Sequence, residues 1–280
     1  MTGSLVLALA LLAYLLSAAG FIVFGIRQNK KAARGAHGAL AAGFGLQTIH
    51  LAVRTVALGQ LPVLNMFEAL AFFGWVLAGV YLLVQLKFKL HILGALASPL
   101  TVVLVFGGVF FGAKPETVSS IYKSVWLTLH LAGFFTGYGF FGLAFVAGVM
   151  YLFQEQQIKS KRPGPVFRRL PSLNILDHLN QYCLSLGFPF MTLGLITGAV
   201  YAQVTLGKYW RWDPKEVWSL ILWLVYAALL HQRLTVGWRG RRAAVMAIVG
   251  FSVLCFTFVG VSLLLPGYHT FENLERLRTQ

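Results

Sequence analysis

Charge is scarce in these 280 residues, and acidic charge scarcest: 11% are charged, and 8 Asp and Glu face 23 Lys and Arg. A soluble domain is about 25% charged and about 45–50% apolar, whereas 58% of this chain is hydrophobic. So few charges cannot clothe a water-facing surface, which excludes an ordinary soluble domain and leaves lipid as the main solvent. Cysteine is nearly absent too. Cys183 and Cys255 stand 72 residues apart beside or within apolar runs, and there is no CxxC pair, so the chain is not itself a dithiol reductant. An extended basic face is also missing. The net charge of +15 is spread in short clusters between apolar runs, as the positive-inside rule requires, and nucleic acid is not an expected partner.

What is present is a series of continuous apolar runs, each near the roughly 20 residues needed to cross about 30 Å of hydrocarbon. They predict an all-α polytopic membrane protein of about eight transmembrane helices, at about 4–26, 38–59, 66–86, 90–112, 127–153, 185–206, 217–235 and 243–265. Runs this long are not the ten-residue alternations of a membrane barrel, and a helix satisfies its own backbone. The first run has no basic segment ahead of it and reads as a retained span. Alternate connections hold fifteen Lys and Arg on one side and eight on the other, counting Arg54 with the latter. The fifteen-charge side is therefore expected in the cytoplasm and both termini on the outer face. No internal repeat stands out, so residues 1–280 are expected to form a single membrane domain. The long connection at about 154–184 begins basic and proline-rich, then reads SLNILDHLNQYC; apolar residues at helical spacing predict a cytoplasmic surface helix there.

Four of the seven tryptophans, Trp210, Trp212, Trp218 and Trp223, fall in the segment GKYWRWDPKEVWSLILW, whose outward loop covers about 207–218. An interfacial aromatic belt accounts well for Trp218 and Trp223. It accounts less well for Trp210 and Trp212 alternating with Lys208, Arg211, Asp213, Lys215 and Glu216. Flat rings beside cations suit a flat, dianionic ligand: a porphyrin offers a broad apolar face to the rings and two propionates to Lys208 and Arg211.

Haem iron also needs axial ligands, commonly neutral imidazole. On the span map His130 lies near the outer end of span five and His269 just beyond span eight, both at the depth of the tryptophan loop. Either alone reads as a packing or interfacial histidine; as a pair flanking the loop they read as candidate ligands. His231 lies about 13 residues beyond Trp218, roughly 20 Å deeper at 1.5 Å per residue, and a polar group at that depth usually faces a partner, cavity or cofactor. Arg54 and Glu68 are expected to form a structural ion pair near His50. His37, His91 and His178 carry no assigned role.

With these residues in view the chain resembles the CcsA/ResC family of cytochrome c biogenesis proteins, whose tryptophan-rich loop handles haem. LPSLNILDHLNQYCLSLGFPFMTLGLITGAVYA leading into GKYWRWDPKEVWSLILWLVYAALLH is similar to the family's own sequence, and LPVLNMFEAL to an upstream segment. The resemblance covers about residues 60–270. It departs mildly at Val204-Thr205-Leu206, where another Trp is common, and at Tyr268, where Leu is more usual before the histidine. It implies that His130 in WLTLH and His269 in GYHTF are axial ligands of externally exposed haem b. It implies that His231 ligates haem in transit, with a histidine from a ResB-like partner subunit. The implied activity is that of a two-subunit haem exporter and cytochrome c synthase (haem lyase) of system II, attaching haem to the CxxCH thiols of apocytochrome c. Trp210, Trp212 and Asp213 would position the haem, with Trp218 also among the haem-binding residues. The implied location is a bacterial inner membrane or the equivalent thylakoid membrane. Two other readings stay open: a haem-binding regulator or chaperone without ligase activity, and an unrelated anion transporter using Arg54 and Lys208.

Overall fold

The computed structural model describes residues 2–63, 65–111, 123–161 and 169–265. Among them the chain is all helix and loop. The helices are α1 Thr2–Arg27, α2 Lys30–Leu58, α3 Met66–Phe88, α4 Gly94–Phe111 after a 3-10 turn at His91–Leu93, α5 Val125–Lys159, α6 Leu173–Leu206, α7 Pro214–Leu234 and α8 Arg241–Cys255. The last helix continues through a π-helical turn, Phe256–Gly260, into Val261–Leu264. Six are long and apolar enough to cross a membrane, whereas α4 is shorter and α2, which carries Lys30, Lys31, Arg34 and Arg54, is not among the six. The chain is an all-α polytopic membrane protein, as its apolar runs predict.

Local chemistry sets the helix ends. Asn29, Asn65, Ser172 and Asp213 cap α2, α3, α6 and α7 with side-chain oxygens that accept from first-turn amides. Gly59 and Gly207, at φ 71° and 72°, close α2 and α6 in the left-handed conformation that glycine adopts freely.

The centre is the antiparallel pair α5 and α6, 35 and 34 residues long, each about 50 Å at 1.5 Å per residue. Glycines let their backbones meet: a Cβ on Gly133 would lie 2.8 Å from the Gly194 nitrogen, and one on Gly137 2.9 Å from the Gly187 oxygen. Small residues one turn apart are how membrane helices approach closely where lipid gives no hydrophobic drive. Around this pair, Phe73, Phe135, Tyr138 and Phe258 join α3, α5 and the π-helical turn through edge-on rings, and Tyr226 of α7 stacks on Phe141 of α5 with centroids 3.5 Å apart.

Residues 173–184 are helical as expected, but they are not a separate surface helix. They are the first turns of α6, continuous with the span, and Leu176, Asp177, Leu179, Asn180, Cys183 and Leu184 are buried. The amphipathic spacing faces protein, because Asp177 and Asn180 find partners on α5 and α7 and at the start of α8. The expected Arg54–Glu68 pair is present at 2.8 Å.

Candidate functional site

The tryptophan loop joins α6 to α7 and is held by its acidic residues. The Asp213 carboxylate accepts from the Lys215 amide at 2.9 Å, and Glu216 Oε2 accepts from the backbone amides of Arg211 at 2.7 Å and Asp213 at 3.4 Å. This is a capping box, with Pro214 in the first turn. Asp213 is 6% exposed, so it acts on the loop from beneath. The Arg211 guanidinium donates to the Leu206 carbonyl at 3.3 Å, over the C-terminus of α6. Lys215 Nζ donates to Ser262 Oγ at 2.9 Å, and that hydroxyl donates to the Phe258 carbonyl at 2.8 Å, tying the loop to the last helix.

So braced, the loop presents its aromatics outward. Trp212 is 75% exposed and sits at φ 60°, a left-handed backbone that costs a bulky residue about 1–3 kcal/mol. Trp210 meets it edge-on at 5.9 Å, and Lys208 is exposed beside them. Trp218 packs on Phe256 at 4.7 Å, and Trp223 donates to Thr192 Oγ1 at 2.9 Å. The cluster therefore divides into an outward pair and an inward pair that packs α7 onto its neighbours.

His130 packs on α6. Its Nδ1 lies 2.9 Å from the Gly194 carbonyl oxygen, and its ring takes the place a Cβ on Gly198 would need. A carbonyl only accepts, so Nδ1 carries the proton and Nε2 is the nitrogen able to ligate; such a bond is the usual support of a metal-binding histidine. Its depth differs from the expectation. Gly198 lies about 12 Å of helix inward from the end of α6 at Leu206, because α6 runs past the start of α5. His269 lies outside the described residues.

His231 is exposed on α7, its Nδ1 3.4 Å from the Thr235 hydroxyl. Two residues on, Arg233 is 5% exposed. Its Nη2 pairs with Asp177 Oδ2 at 2.9 Å and donates to the Asp177 carbonyl at 2.6 Å, while Asp177 Oδ1 accepts from the Gly240 amide at 2.8 Å. Nη1 reaches Asn180 Oδ1 at 3.5 Å, and Asn180 Nδ2 donates to Ala144 of α5 at 3.0 Å. Residues two apart on a helix point about 200° apart, so drawing Arg233 inward turns His231 out of the bundle. Sequence reasoning counted Arg233 only as a cytoplasmic charge. The available signal was Asp177 and Asn180 one turn apart on one face of a helical segment.

The chain matches the family described as Cytochrome C assembly protein over residues 63–269. It is 35% identical over 234 residues to the cytochrome c biogenesis protein CcsA of Chlamydomonas reinhardtii, covering 81% of this chain but 65% of that protein, just under two thirds. It is 33% identical to the CcsA of Guillardia theta, covering 81% of this chain and 82% of that protein. Against the CcsA of Synechococcus elongatus the identity is 32%, with 79% and 82% covered. Among solved structures it resembles the cytochrome c haem lyase CcmF with a TM-score of 0.65 at 18% identity, covering 92% of this chain and 46% of that one. That likeness is one of fold. The matched residues take in α3 to the end of the described chain, including the braced tryptophan loop, His130 and His231, and the chain belongs to the cytochrome c assembly protein family.

Proposed function

We propose that this chain carries haem b to the outer face of its membrane and presents it for attachment to the CxxCH thiols of apocytochrome c. The observation that supports it most is Trp212, a large aromatic kept in contact with solvent on a costly backbone conformation by a full set of caps. Such an arrangement is worth its cost where an apolar face must stay available to a ligand. Trp210 supplies a second aromatic surface, Lys208 and Arg211 serve the propionates, and Trp218 supports the platform from below. Asp213 positions the loop through the cap. His130, through Nε2, and His269 provide the external axial pair. His231, turned out of the bundle by Arg233, ligates haem in transit together with a histidine from a ResB-like partner subunit. Each thioether forms by net addition of a thiol S–H across a vinyl double bond, with no atom lost and no redox change; the chain's part is to hold the vinyl edge open to the two thiols.

The proposed setting is the cytoplasmic membrane of a bacterium or a thylakoid membrane, with the loop on the outer side. The test is the absorption spectrum and cytochrome c yield of the protein co-purified with its ResB-like subunit. The expected result is that haem travels with the complex, that His130→Ala shifts or lowers its spectrum, and that imidazole restores part of it. A complex that makes covalent cytochrome c normally with both Trp212→Ala and His130→Ala would overturn the reading.

A further inference from the structure

A second histidine cluster lies at the end of the bundle away from the tryptophan loop. His37, in the second turn of α2, faces His91 in the 3-10 turn before α4, with ring centroids 6.1 Å apart and planes at 68°. Tyr81 and Gln85, one turn apart on α3, complete the group. The Tyr81 ring is 6.5 Å from that of His37, and Gln85 Nε2 is 2.7 Å from His91 Nδ1. Tyr81 is 1% and Gln85 6% exposed. His37 Nδ1, Gln85 Oε1 and the Tyr81 hydroxyl are buried without a hydrogen-bond partner.

One buried polar atom left unpaired costs free energy; three in one contiguous group, drawn from α2 and α3 against the turn before α4, call for a shared ligand. The two ends of a carboxamide exchange readily, so either end of Gln85 can pin His91 Nδ1, which leaves Nε2 as the ligating atom of that ring. Imidazoles that bind one ion at 2.0–2.1 Å hold their centroids about 5.2 Å apart in a tetrahedral site and about 6.4 Å apart in a linear one. The observed 6.1 Å falls inside that window. No three His, Cys, Asp or Glu gather among the described residues, so this is not a closed structural site. Two imidazoles beside amide and phenol oxygens suit an exchangeable ion of borderline softness.

We propose that His37 and His91 bind one divalent transition-metal ion of the Zn2+ or Fe2+ class, at a site separate from the haem-facing histidines. The test is a Co2+ titration of the purified full-length chain carrying no polyhistidine tag, followed by the visible ligand-field bands. One equivalent is expected in the wild type and in His178→Ala and His231→Ala. His37→Ala and His91→Ala should lose the bands, and Gln85→Leu should weaken binding roughly 10–100-fold, as loss of a supporting bond does. No bands in the wild type, or bands that survive both His37→Ala and His91→Ala, would overturn the proposal. Should an alanine variant not fold, wild-type protein decides: Zn2+ should protect His37 and His91 from diethylpyrocarbonate, and equal modification with and without Zn2+ rejects the site.

Discussion

The two ends of α7 solve the same problem in opposite ways. At the N-terminal end the acidic groups Asp213 and Glu216 find partners within five residues, among the amides of their own loop. At the C-terminal end Arg233 finds its partners 53 and 56 residues earlier, on α6. Each end buries its polar group and turns a functional candidate outward, Trp212 at one and His231 at the other. The difference lies in what fails when the anchor is lost. A broken cap loosens a loop, whereas a broken buried ion pair strands a charge among three helices.

The sharpest test is therefore Arg233→Met. Removing one partner of a buried pair costs about 3–5 kcal/mol, and thermal unfolding in detergent should fall accordingly; adding Asp177→Leu should recover much of the loss. Recovery of stability without recovery of haem loading would separate the orienting role of Arg233 toward His231 from its structural one.

A smaller effect is expected at the other end. Asp213→Ala should cost about 1 kcal/mol of helix stability, as lost N-caps do, and should lower cytochrome c maturation. Asp213→Ser, which caps equally well, should restore both. If the serine variant is stable yet inactive, the carboxylate acts on haem directly and the positioning assignment fails.

Trp212→Ala should leave stability within about 0.5 kcal/mol, as exposed substitutions do, while reducing retained haem. A large fall in unfolding temperature would mean that the ring packs against something and is not a platform. His231→Ala is expected to change stability least of all, since the side chain is exposed and alanine suits a helix. Haem loading of the complex should drop and return with added imidazole; unchanged loading would make the residue a lipid-facing bystander.

Much of this was legible in the sequence, for reasons that are local. A run of about 20 apolar residues has few fates besides a membrane helix, so the six helices long and apolar enough to cross a membrane each overlap a run that the hydropathy marks. The D-P-x-E sequence from Asp213 to Glu216 is a cap written within four residues. Arg54 and Glu68 are opposite charges at the facing ends of two consecutive helices, and their pairing followed.

Only the tertiary structure decided the rest. The segment containing Asp177 and Asn180 has the same amphipathic spacing whether it lies on a lipid surface or packs on protein; burial against α5 and the Arg233 pair settled it as the start of α6. His130 counts as an end residue on its own helix, but depth is a relation between helices, and α6, which runs past the start of α5, places its contact about 12 Å inward from the loop. Sequence alone determined which segments are apolar enough to span and where the aromatic and imidazole groups lie along each, because those properties arise within a few turns. Which face of α7 turns inward, and so which way His231 points, depended on a carboxylate 56 residues away, and no local pattern carries that information.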